Sequence, residues 1–199
     1  MVLFRAAALG AALWVIAAPA QALEMRLVGS TLHLSGPLGW GSHHGFKAFV
    51  DSQPKGAIQV VALDSGGGSV ESAQEIGRRV RKEGWSTLVD ARRGRCTSAC
   101  TAIFAAGTGR YYVGAEGMLD GAVAPKETRG LGYHEGGSPD SRQPNQYNGN
   151  ATAFMIALYY EFGSRQAASL ATKAPPNMMY LVSGRTALNL GLATSLSPP

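Results

Sequence analysis

The chain has 199 residues, 45% of them hydrophobic and 16% charged, with a net charge of +5. That length suffices for one domain with a substantial core, and the chain has only one long apolar segment, near its start. The positive balance does not imply nucleic acid. The basic residues are scattered apart from Arg78-Arg79-Val80-Arg81-Lys82, at a predicted helix end where cations complement the dipole, and Arg92-Arg93-Gly94-Arg95, and no nucleic-acid-binding motif accompanies them.

In chain order, Arg5, the apolar run Ala6–Ala18 with Pro19, and Ala20-Gln21-Ala22 predict a secretory signal peptide over residues 1–22 and a mature chain from Leu23 to Pro199. The run is too short to span a bilayer comfortably. A bacterial periplasmic or secreted location is expected, with no stable membrane span after cleavage. Met25–Val28 and Thr31–Leu34 predict two short strands. Ser42–Val50 predicts a helix with Phe46, Phe49 and Val50 inward, closed by Pro54 and Gly56. Ile58–Leu63 is the continuous apolar run of a parallel strand buried on both faces. A glycine loop leads to a helix over Ser69–Glu83, which carries Val70, Ala73, Ile76, Gly77 and Val80 on one face and ends at Gly84.

Strand Ser86–Val89 follows, then a small-residue helix over Ser98–Ala106 ended by Gly107. Arg110–Val113 and Met118–Val123 predict further strands. Residues 135–149, rich in Gly, Ser, Pro, Asn and Gln, predict a surface loop. Ala151–Phe162 is a strongly apolar helix, followed by a shorter helical stretch to Thr172, a strand at Tyr180–Val182, and a closing helix over Thr186–Leu190. The alternation predicts a single α/β domain with a mainly parallel sheet flanked by helices.

Three segments carry chemistry. Ser98 stands between Cys96 and Cys100 at the start of an apolar helix, where a serine serves either as N-cap or as a nucleophile beside the positive end of the dipole. Gly66, Gly67 and Gly68 follow a buried strand at the edge where parallel sheets bind ligands, and allow close backbone approach. The bland alternative is a plain strand-to-helix turn with Ser69 as cap. His134 sits between Gly132 and Gly136, a loop position suited to a general base. In this order and spacing the three supply nucleophile, N–H donors and base for acyl transfer. Asp64-Ser65-Gly66-Gly67 is similar to the chymotrypsin-type signature, but Leu63 stands where its first glycine belongs and the surroundings are α/β. His33, His43 and His44 lack the spacing of a metal site. Cys96 and Cys100, in an exported chain, are either a local disulfide or two buried thiols.

These segments resemble the Clp protease/crotonase superfamily, and specifically its exported, periplasmic Clp protease-like branch, from about Ile58 to His134 with a weaker echo to Leu192. The family's Pro-Gly-Gly-Ser-Val-like loop reads here Gly66-Gly67-Gly68-Ser69-Val70. Its Ser-Ala nucleophile segment reads Ser98-Ala99, and its Gly-aromatic-His base segment reads Gly132-Tyr133-His134. The resemblance implies a Clp/crotonase-like fold over residues 23–199 and a serine peptidase or related acyl hydrolase. Ser98 would be nucleophile, His134 base, and the N–H groups of Gly67 and Ala99 the oxyanion hole. It implies peptides or unfolded protein as substrate, and no cofactor, nucleotide or metal.

The chain departs from the family at Gly66, where proline is usual, and in a longer interval from Ser98 to His134. The family's third triad member, an aspartate, has Asn177 as its only counterpart, which can orient an imidazole but not stabilise an imidazolium by charge. Two competing expectations follow: a catalytically weak or inactive Clp-like binding module, and an envelope adaptor acting through homo-oligomerisation, which has no sequence signal of its own.

Overall fold

A computed structural model describes residues 22–121, 123–125, 129–138, 142–143 and 145–199. The expected signal peptide therefore lies outside the described residues, apart from Ala22. Among the described residues the strands form two sheets. The first runs β1 (Glu24–Val28), β2 (Thr31–Ser35), β3 (Val60–Asp64), β4 (Ser86–Asp90) and β6 (Arg110–Val113), and the second runs β5 (Arg95–Thr97), β8 (Gly130–Tyr133), β9 (Met178–Leu181) and β7 (Val123–Pro125). The first is parallel from β2 to β6, with β1 antiparallel at its edge. In the second, β5 pairs parallel with β8, while β9 pairs antiparallel with β8 and β7.

The second sheet is a departure from the single sheet that periodicity predicts. The predicted strand over Met118–Val123 is displaced: Met118 and Leu119 are irregular, Asp120 and Gly121 form a turn, and β7 begins at Val123. Strands β5 and β8 are three and four residues long, and β8 is Gly-Leu-Gly-Tyr. Such segments have little intrinsic preference for strand, so tertiary pairing makes them extended. The Ser65 N–H donates to the Arg95 carbonyl at 2.7 Å and the Thr97 N–H to the Ser65 carbonyl at 3.1 Å, which splices the end of β3 onto β5.

Six helices of the described residues flank the sheets: α1 (Ser42–Asp51), α2 (Val70–Glu83), α3 (Cys100–Ala106), α4 (Gly149–Glu161), α5 (Arg165–Leu170) and α6 (Gly184–Asn189). Helix α2 is set by its ends. The Ser69 hydroxyl caps the Ser72 N–H at 3.1 Å, and Gly84 closes the helix in the left-handed conformation. Its inner face buries Ala73, Ile76, Gly77 and Val80. Every residue of α3 is buried, so the helix that starts behind Ser98 is the centre of the core. In α1, Phe46 and Val50 are buried while Phe49 is half-buried. The predicted surface loop of 135–149 doubles back on itself, with Gly137 paired to Tyr147 and the Ser138 N–H donating to the Gln146 carbonyl at 2.8 Å. Among the described residues no helix is long and apolar enough to cross a membrane.

Candidate active site

The glycine loop is built at the carboxyl end of β3. The Gly67 carbonyl accepts from the Leu38 N–H at 2.9 Å and the Leu38 carbonyl accepts from the Ser69 N–H at 2.7 Å, so the loop is fixed from one side. On the other side it meets the Ser98 turn. Gly67 has φ +88°, and a Cβ there would stand 2.6 Å from the Thr97 carbonyl oxygen, 2.7 Å from Ser98 Cβ and 2.9 Å from the Ala99 nitrogen. Only glycine allows this approach.

Ser98 is the one non-glycine residue at positive φ among the described residues, at +55°. A left-handed conformation costs such a residue about 1 to 2 kcal/mol, which persists only where the surroundings impose it. Three constraints do so here. The Ser98 N–H donates to the Gly132 carbonyl at 3.0 Å. The Ser98 carbonyl accepts from the Thr101 N–H at 2.9 Å and from the Thr101 hydroxyl at 2.5 Å. Cys96 and Cys100 are joined in a disulfide, with Cα atoms 5.1 Å apart, closing a ring around Thr97-Ser98-Ala99.

Behind the turn, the Thr101 hydroxyl also lies 2.5 Å from the Tyr159 hydroxyl. Burial pushes the Tyr133 and Tyr159 phenols up, so both stay neutral. Helix α3 takes Ala99 as its N-cap residue, and the Ser98 hydroxyl makes no hydrogen bond among the described residues. Its position is an elbow rather than a cap.

His134 follows β8 directly. The parallel register pairs Thr97 with Gly132, which sets the end of β8 beside the Ser98 turn. Tyr133 is buried, and the Glu135 N–H donates to the Ala174 carbonyl at 2.9 Å, so both flanks of the histidine are held. The imidazole is half-buried, with Nδ1 inside. Ser98, His134 and Gly66 to Gly68 line one cleft of about 600 Å³. The two side chains share it without a direct hydrogen bond, and such bonds often form only in the substrate complex.

Of the two expected oxyanion donors, the Ala99 N–H has no acceptor among the described residues and lies against Gly67. The Gly67 N–H donates to Ser65 Oγ at 3.1 Å and would have to exchange that bond for a substrate oxygen.

Asn177 is not brought to the cleft. It is exposed, on the turn that precedes β9, and does not line the cavity. Asn177→Ala should therefore change the rate of fluorophosphonate labelling of Ser98 by less than about twofold, against the roughly ten-thousandfold cost of disabling a working third member. A tenfold fall would return Asn177 to the site. Two charged residues that sequence reasoning did not assign also line the cleft, Asp64 and Arg95, the latter signalled only by membership of a basic knot.

Two other features lack this convergence. Ser72 Oγ lies 3.2 Å from His43 Nδ1, but the hydroxyl donates to the Gly39 carbonyl at 2.9 Å and Ser72 is buried, which makes it a structural pin. A larger concavity of about 820 Å³, on the first sheet and lined by Glu24, Arg26, His33 and Asp90, contains neither Ser98 nor His134. Among the described residues no three His, Cys, Asp or Glu side chains converge as a metal site requires.

No protein-family model matches the sequence, and no curated protein matches it either. The fold, however, is shared with solved structures. The membrane-bound stomatin-specific protease 1510-N superposes with a TM-score of 0.55 at 14% identity, over 83% of this chain and 77% of its own. A second form of that protease, in complex with a substrate peptide, gives 0.56 at 13% identity over 83% and 73%. The ClpP protease catalytic domain from Plasmodium falciparum gives 0.55 at 12% over 85% and 86%, and ClpP1 from Listeria monocytogenes 0.55 at 16% over 86% and 92%. The chain thus has the Clp protease/crotonase fold. At these identities the likeness speaks for architecture alone.

Proposed function

We propose that the protein is a serine peptidase or related acyl hydrolase of the Clp-like type, exported by its leader and acting on short or unfolded peptides in the cell envelope. The observation that carries this reading is Ser98 held at φ +55° by a disulfide, two backbone hydrogen bonds and one from the Thr101 hydroxyl, on a cleft shared with His134 and the glycine loop. Ser98 Oγ attacks the substrate carbonyl as His134 takes its proton. The developing oxyanion is met by the Ala99 N–H, and by the Gly67 N–H once it leaves Ser65. His134 returns the proton to the leaving amine as the C–N bond breaks. Water, deprotonated by the same imidazole, then releases the acyl group and restores Ser98.

A binding module without turnover is the second reading. It is favoured by the absence of a Ser98–His134 hydrogen bond and by the occupied Gly67 N–H. Fluorophosphonate labelling of the mature protein decides between them. The expected result is modification mapped to Ser98, absent in Ser98→Ala and lost in His134→Ala. No modification under conditions that label a known serine hydrolase would leave only the binding module.

A further inference from the structure

We infer that Arg95 makes the cleft selective for peptides that carry a carboxylate near the bond bound at Ser98. The inference rests on the hydrolase reading for the bond placed at Ser98; the carboxylate site itself stands on the cleft.

Arg95 opens β5, three residues before Ser98, and lines the same cleft as Ser98 and His134. Its guanidinium lies against the glycine loop. A Cβ on Gly66 would stand 3.3 Å from Nη2, 3.4 Å from Cζ and 3.5 Å from Nε, and these near-equal distances place the planar group broadside to the loop. Gly66 therefore leaves the space the guanidinium fills. The side chain of the proline usual in the family's loop would begin in that space.

Among the described residues the charge of Arg95 has no ionic partner. Arg78, Arg79 and Arg92 pair with carboxylates, and Arg81, Arg110 and Arg129 donate to backbone carbonyls. Arg95 forms no ion pair with a described residue. The acid that shares its cleft, Asp64, accepts the backbone N–H of Arg95 at 3.0 Å and packs against Gly94, where a Cβ would be 3.2 Å from its Cγ. Asp64 is thus bound to the main chain of β5 rather than to the guanidinium.

A half-buried guanidinium that makes no side-chain hydrogen bond among the described residues, on the wall of a cleft that also holds a candidate nucleophile, suits a planar bidentate anion. In a peptide-binding cleft that anion is a carboxylate. Three residues of extended chain span about 10 Å, so the carboxylate lies two or three residues from the carbonyl at Ser98. It comes either from an Asp or Glu side chain or from the free C-terminus of a short peptide.

The test is binding to the Ser98→Ala protein, which needs no turnover. Three fluorescein-labelled peptides of one neutral sequence are compared by anisotropy at about 0.1 M salt: one amidated, one amidated with a single interior Glu, and one with a free C-terminal carboxylate. At least one carboxylate peptide should bind about tenfold or more tighter than the neutral amide, a usual size for a charge-assisted hydrogen bond. Which of the two does so identifies the source. Arg95→Gln should bring the three peptides to within about twofold, and Arg95→Glu should favour a Lys-bearing peptide instead. Arg95→Lys, which keeps the charge but not the fork, should retain only part of the preference.

Equal binding of all three peptides, no measurable binding of either carboxylate peptide, or a preference that survives Arg95→Gln would each overturn the inference. Fluorophosphonate labelling of the Ser98-containing protein reads the other claim separately. Labelling without a carboxylate preference would remove the Arg95 site and leave the hydrolase. A preference without labelling would do the reverse.

Discussion

Gly67→Ala should abolish fluorophosphonate labelling of Ser98 and lower the stability of the fold by about 2 to 5 kcal/mol. The lower part of that range is the cost of a side chain at φ +88°, about 1 to 2 kcal/mol, and the rest is overpacking, about 1 to 3 kcal/mol. The clash cannot be relieved cheaply. The three atoms a Cβ would strike, at 2.6, 2.7 and 2.9 Å, all belong to the Ser98 turn, which is closed by the disulfide and bonded at both of its backbone ends. The opposite wall is the segment at Leu38, hydrogen-bonded to the same loop. Gly163→Ala is the matched control: it too has positive φ, +72°, but a Cβ there meets nothing within 4 Å, so only the conformational cost applies. Urea melts of both variants separate the two contributions. A Gly67→Ala protein as stable as Gly163→Ala, and still labelled, would show that the loop and the Ser98 turn are not in contact.

Replacing Cys96 and Cys100 together by alanine should lower stability by about 2 kcal/mol and slow labelling of Ser98 by tenfold or more. The first figure follows from loop-closure entropy for a bridge between residues four apart. The second follows from the elbow itself. Ser98 at +55° is held in a conformation its chain does not prefer, and the disulfide is one of the constraints that hold it there. Without the bridge, the Gly132 and Thr101 hydrogen bonds alone resist relaxation of the turn. Reduction of the unmodified protein should produce the same slowing, and reoxidation should reverse it. Both cysteines are buried, so the reductant must wait for local opening and the loss should be gradual. Wild-type labelling by the double variant would assign the elbow to the backbone hydrogen bonds.

Much of this was legible in the sequence because it depends on local periodicity or on a single residue's chemistry. The apolar run ending at Leu63 could bury both faces only inside a parallel sheet, and β3 lies between β2 and β4, parallel to each. The spacing of Ala73, Ile76 and Val80 fixed the inner face of α2, with Ser69 and Gly84 as its ends. Ser98, the glycine loop and His134 were readable as a set from order and spacing, and they share one cleft.

The division into two sheets was not readable. Strand β5 is too short to signal extension and β8 is short and half glycine, and they exist because Ser65 splices onto β5 and the Leu131 region pairs with β9. The same holds for the site's finer parts. Chain position made Asn177 the counterpart of a triad residue, yet the turn before β9 leaves it in solvent. Arg95 belongs in sequence to a basic knot, and only the approach of Gly66 turns it into a wall of the cleft. Sequence by itself determined the elements whose burial is periodic and the residues whose chemistry is unusual. Tertiary structure decided which backbones meet, because a three-residue strand, an elbow at positive φ and an oriented guanidinium are stabilised by neighbours distant along the chain.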